Sequence, residues 1–154
     1  MIKKILGIIC ISLFSLALAA QDTKINEEYL ATIGDKKSYK LIVKEREADY
    51  CANFLTTFPK SKYKPKVLSL YDELYYIEAY DIATKTFDVS GLKNYLVKFP
   101  EGKYRDKAGE AIDIISWQKA RSENTCIAYE TYLENFPQGK AVPLAKDALE
   151  KLKR

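Results

Sequence analysis

Apolar positions recur in a fixed order along the chain. Three runs, Asn53 to Tyr63, Asn94 to Tyr104 and Thr131 to Ala141, each carry an aromatic-Leu pair, two variable residues, Phe-Pro and a small residue flanked by lysine. Aligned on Phe58, Phe99 and Phe136, the runs stand 41 and 37 residues apart, within the 20 to 50 residues that mark a repeat architecture. Downstream, shared offsets collect Val67, Ala108 and Ala145, then Leu70, Ala111 and Ala148, then Tyr71, Ile112 and Leu149, then Leu74, Ile115 and Leu152. Steps of three, one and four trace one face of a helix. Upstream, Tyr39, Tyr80 and Trp117 share an offset, as do Ile42, Ala83 and Ala120. Residues 36 to 47 contain a strand-like run, Ser38 to Val43, but this register assigns them to the end of a helix.

Each unit is therefore expected to be a short helix, a turn and a long helix, in an all-α chain. The short helix stops at the Phe, because a residue before proline is pushed out of the α region. Ser61, Gly102 and Gly139 share the next offset, where a capping or left-handed residue is expected. Pro65, Asp106 and Pro143 suit the first turn of the long helix. Four more residues separate Leu74 from Tyr80 than Ile115 from Trp117, about one helical turn, and Tyr75, Tyr76 and Glu78 are expected to occupy it. Its polar flank reads as Glu73, Glu78, Asp81 and Lys85 in one copy and Lys107, Glu110, Asp113 and Lys119 in the next. Phe54, Tyr95 and Tyr132, with Leu55, Leu96 and Leu133, are expected to hold the short helices, which are marginal alone. Tyr71 and Tyr80 are expected in the core.

Lys3 and Lys4, the apolar run Ile5 to Leu18 and Ala17-Leu18-Ala19-Ala20 have the order of a signal peptide,. A membrane anchor would need about 20 apolar residues, and Gln21 and Asp22 come too early. Cys10 follows Ile8-Ile9 inside the run, so no lipid anchor is expected. The expected segments are 1–20, a signal peptide cleaved near Ala20; 21–35, a helical segment with Ile25, Tyr29, Leu30 and Ile33 on one face and Gly34-Asp35 as its stop; and 36–154, the repeat domain.

The formal charge of +4 includes Lys3 and Lys4, which leaves +2 after cleavage. No nucleic-acid partner follows from so small a charge. Export implies an oxidising compartment, but Cys51 and Cys126 fall on short helices two units apart. A disulfide needs Cα atoms about 4.4 to 6.8 Å apart, and helices two units apart are separated by about twice 8 to 10 Å, so two small, buried, unbridged thiols are expected.

The string Tyr-Leu-x-x-Phe-Pro-x-Gly-Lys-(Tyr/Ala), followed by a small residue and a Leu face, resembles the tetratricopeptide-like repeats of bacterial envelope proteins. It is most similar in flavour to those of the outer-membrane barrel assembly lipoprotein (its D component) and of Tol-Pal-associated periplasmic proteins. The resemblance covers residues 36 to 154. It implies a helical-hairpin solenoid of about three repeats, located in the periplasm, whose concave face binds peptides or partner proteins.

Candidate chemistry is sparse. With no histidine in the chain, the commonest general base and metal ligand is missing, and neither a cofactor nor a metal is expected. Glu45, Glu47 and Asp49 read as solvated helix residues, and an enzyme is not expected. Two surface features stand out. Lys60, Lys62, Lys64 and Lys66 surround Tyr63 in a basic turn suited to peripheral contact with anionic head groups or an acidic partner. Asn53, Asn94 and Thr131 at one offset, with Thr57, Lys98 and Asn135 four residues on, share a helix face and are the candidate partner-binding stripe. The expectation is a non-enzymatic exported adaptor. The rivals are a cell-wall-active protein using carboxylate chemistry and a purely structural self-assembling repeat protein.

Overall fold

The computed structural model describes residues 25–154; the expected signal segment and Cys10 lie outside them. The described residues form eight helices and no strand, so the all-α expectation holds. In chain order they are α1 (Glu27–Ile33), α2 (Asp35–Glu45), α3 (Ala48–Thr57), α4 (Lys64–Thr86), α5 (Ser90–Lys98), α6 (Arg105–Glu123), α7 (Cys126–Asn135) and α8 (Val142–Leu152). The short helices α3, α5 and α7 each end on the Phe of Phe-Pro, whose N–H reaches the carbonyl of Phe54, Tyr95 or Tyr132. Pro65 and Pro143 lie in the first turns of α4 and α8, where a missing N–H costs nothing.

The Asn26 side chain caps α1 by accepting from the Tyr29 N–H at 2.9 Å, and Gly34, at φ 76°, ends it. Asp35 is the first residue of α2, so the stop is Gly34 alone. The long helices share a terminus that composition does not announce. Arg46, Phe87 and Asn124, each twelve residues before a Phe-Pro phenylalanine, are left-handed at φ 54°, 58° and 47°. Their N–H groups close the helices onto Ile42, Ala83 and Ala120. A left-handed non-glycine costs about 1–2 kcal/mol, and only Asn124 is of a type that visits this region readily.

Apolar side chains gather in three clusters along the chain. Leu30, Ile42, Cys51, Phe54 and Val67 are sealed in the first, Ala83, Leu92, Tyr95 and Ala108 in the second, and Ala145 with Tyr132 in the third. Phe99 packs on the first and second clusters, and Phe136 on the second and third. The repeated phenylalanine thus couples each cluster to the next.

The turns are locked by a buried tyrosine and an aspartate of the preceding long helix. The Tyr95 hydroxyl donates to Asp72 Oδ1 at 2.5 Å and accepts from the Tyr104 N–H at 3.1 Å, while Asp72 Oδ2 accepts from the Lys103 N–H at 2.8 Å. Tyr132 repeats this on Asp113 at 2.6 Å, with the Lys140 N–H on the other oxygen at 3.1 Å. Asp113 is therefore a structural acceptor and not a member of the polar flank. Burial, with the neighbouring aspartate second, pushes both tyrosine hydroxyls up to about 12.

Gly102 and Gly139 are not left-handed, contrary to expectation; they are small because the hydroxyl needs the space. A Cβ would lie 2.4 Å from Tyr95 Oη at Gly102 and 2.5 Å from Tyr132 Oη at Gly139. The first turn confirms the trade: Phe54 has no hydroxyl, and Ser61 supplies one, donating to Asp35 Oδ2 at 2.9 Å and accepting from the Tyr63 N–H at 3.1 Å. Phe with Ser and Tyr with Gly are two solutions to one hydrogen-bonding requirement.

These aspartates also correct the position of the inserted turn. Asp35 lies eleven residues before Arg46, Asp113 eleven before Asn124, and Asp72 fifteen before Phe87. Tyr76, four after Asp72, stacks on Tyr104 at 4.7 Å as Tyr39 stacks on Tyr63 at 4.5 Å. The extra turn therefore follows Tyr76, and Tyr75 and Tyr76 belong to the regular repeat. Tyr71 is buried as expected, but Tyr80, on the inserted turn, is 43% exposed.

Candidate functional site

Gaps lie over the long helices beside α3, α5 and α7, and one register position contributes to how each is filled. Three residues after Asp35, Asp72 and Asp113 stand Ser38, Tyr75 and Ser116. In the first gap Ser38 is fully buried because α1 folds back after Gly34 and lies against α2 and α3. The Ser38 hydroxyl sits 2.9 Å from the Gly34 carbonyl and 3.2 Å from that of Leu30. From the other side, Asn53 Nδ2 donates to the Ile25 carbonyl at 2.9 Å. Leu30 is sealed, with Ile25 and Ile33 packed beside it.

In the second gap Tyr75 takes the serine's place. Its ring packs 5.8 Å from Phe99, 5.9 Å from Tyr71 and 6.4 Å from Tyr95. A cavity of about 210 Å³ remains, bordered by Asp49, Glu78 and Ile82.

The third gap has neither filler. Ser116 leaves a groove of about 540 Å³ floored by Ile112 and Tyr132 and walled by Lys93 of α5 and Ile127, Thr131 and Asn135 of α7. Ligand sites commonly span about 300–1,000 Å³, a range that includes this groove and excludes the second cavity. Ile127 is 76% exposed, an apolar side chain on the wall of an open groove. Asp88, Lys119 and Glu123 also border it. The Asp88 carboxyl is held below its ordinary value, first by the Ser90 N–H that it accepts at 2.9 Å, so this carboxylate is committed to the start of α5.

The six residues of the predicted stripe do not form one surface. Thr131 and Asn135 meet in the open groove, with Asn135 Nδ2 on the Thr131 carbonyl at 2.8 Å. Asn53 is spent on α1, and the Thr57 hydroxyl donates to the Asn53 carbonyl at 2.7 Å. Asn94 is exposed on α5. The Lys98 ammonium lies 5.1 and 5.5 Å from the ring centres of Tyr71 and Tyr75, and the Tyr71 hydroxyl raises its pKa. Ser38, Ser116 and Ile127 were not anticipated, and Tyr75 was expected only on the inserted turn or as part of a tyrosine surface. The available signal was a shared offset, since Ser38 and Ser116 each stand twenty residues before a Phe-Pro phenylalanine.

Lys60, Lys62, Lys64 and Lys66 are all exposed, with the Lys62 ammonium 5.4 Å from the Tyr63 ring centre. Cys51 and Cys126 are free thiols; Cys51 is buried as expected, which pushes its thiol up to about 12, whereas Cys126 is only half-buried. No family model, curated protein or solved structure matches the chain.

Proposed function

We propose that the chain is an exported, non-enzymatic adaptor of the cell envelope, built as a tetratricopeptide-like helical solenoid, whose third gap receives a segment of a partner protein. The observation that carries this reading is the groove of about 540 Å³ beside Ser116, with Ile127 exposed on its wall. Exposed apolar surface at a concavity marks interaction sites. The solenoid reading is supported by the three equivalent turns and by clusters joined in chain order through Phe99 and Phe136. Export rests on the N-terminal order of basic, apolar and small residues. The four exposed lysines of the first turn provide a secondary contact for anionic head groups at the membrane surface.

A photo-crosslinking residue at Ile127, with one at Tyr80 as control, tests the site in intact cells. Tyr80 is exposed but belongs to neither cavity. The expected result is a discrete adduct with a different protein at Ile127 only, mapped to a single segment of that protein. No adduct at Ile127, or the same adducts at both positions, contradicts the assignment.

A further inference from the structure

We infer that the occupant of the third gap is a short amphipathic helix entered from an extended residue, docking there as α1 docks in the first gap. This rests on the adaptor reading and names the chemistry of its partner. The two side chains that grip α1 are Ser38, on the long helix, and Asn53, on the following short helix, each against a backbone carbonyl. Their counterparts by register are Ser116 and Thr131, and both line the open groove. The hydroxyls of Ser116 and Thr131 are donors of the same kind, set on equivalent helices around an unfilled space.

The first gap specifies what such a segment buries. Ile25, Leu30 and Ile33 turn inward, while Glu27 and Glu28 in the first turn of α1 stay exposed. The third gap suits the same pattern, with an apolar floor at Ile112 and Tyr132. Its rim carries Lys93 and Lys119 together with the carboxylates of Asp88 and Glu123, so it is balanced in charge. A helix laid in a groove on spaced apolar anchors is a general recognition mode, and here the chain carries an example of it one gap away from the α5 wall.

The probe is the synthetic peptide Ile25 to Gly34, added to the isotopically labelled full chain and followed through backbone amide shifts. Saturable shifts are expected at Lys93, Ser116, Ile127 and Thr131. Ser116→Tyr, which copies the filler of the second gap, should weaken binding at least about tenfold, and Thr131→Val by several fold. Leu30→Asp in the peptide should also weaken it at least about tenfold and leaves the protein untouched, so discrimination survives if the Ser116 variant misfolds. Absence of binding, equal binding of the Leu30→Asp peptide, or shifts confined to α2 and α3 would overturn the inference. A foreign adduct at Ile127 without peptide binding would remove the inference and leave the adaptor reading standing. Adducts at Ile127 only with a second copy of this chain would overturn the foreign partner.

Discussion

The first and third gaps share three parts: a serine three residues after an aspartate, an alanine or isoleucine one turn further on, and a polar residue on the next short helix; the third is also walled by α5. They differ in occupancy. Around Ser38 the chain supplies α1, seals Leu30 and satisfies two carbonyls. Around Ser116 nothing of the described chain enters, and a groove of about 540 Å³ stays open. The second gap shows the alternative, in which one tyrosine in place of the serine reduces the space to about 210 Å³. Gap filling thus depends on one register position and on whether a neighbouring segment folds in, while the turns that space the helices keep one hydrogen-bonding plan. A fold built this way can vary the space between its short helices without changing its turns.

The largest expected difference between the two gaps is in what their apolar residues contribute to stability. Leu30→Ala removes a sealed side chain and should cost about 2–5 kcal/mol. Ile127→Ala, 76% exposed, should stay within about 0.5 kcal/mol. Urea denaturation of both variants measures the contrast, and equal losses would erase it.

The turns beneath the gaps come next. Gly102→Ser places a Cβ against Tyr95 Oη and should cost about 1–3 kcal/mol. Adding Tyr95→Phe recreates the Phe54 and Ser61 arrangement of the first turn, so the double variant should be more stable than the sum of the two single changes predicts. Strict additivity would show that the two solutions are not interchangeable.

Smaller still is a pH effect. Tyr95 and Tyr132 have folded-state pKa values raised from 10 to about 12, so the fold favours their protonated forms. Their contribution is fully present below pH 10 and is lost as pH rises through about 12. The first turn, with Phe54, lacks this dependence. Denaturation midpoints between pH 9 and 11.5 should fall less steeply in Tyr95→Phe and Tyr132→Phe than in the parent, and identical slopes would contradict the assignment.

Much of the fold could be read from the Phe-Pro register. Val67, Ala108 and Ala145, collected by one offset, are all fully buried, and the strand-like run in α2 is helical because its neighbours in register are. The Asp72–Tyr95 and Asp113–Tyr132 bonds escaped, since an aspartate on a helix face and a tyrosine in a core pattern each have an ordinary explanation when taken alone. Counting back from Phe99 also aligned Tyr80 with Trp117, whereas packing counts forward from Asp72 and puts Tyr76 in that role. For the site, Thr131 and Asn135 were identified by helix-face spacing, and both border the groove. Asn53 shares the offset of Thr131 but not its surroundings, because its environment depends on α1 folding back at Gly34. Ser116 was missed because a small hydroxyl on a buried face gives no signal until a neighbour is found to be absent.

The most direct test places the tyrosine of the second gap into each of the other two and compares stabilities by urea denaturation. Ser38 is sealed under α1, so Ser38→Tyr must expel that helix and should cost at least about 2 kcal/mol, the scale of the lost Leu30 burial. Ser116→Tyr enters open space and should change stability by no more than about 0.5 kcal/mol. A Ser116→Tyr loss as large as that of Ser38→Tyr would contradict the account, because it would mean that the third gap is already filled.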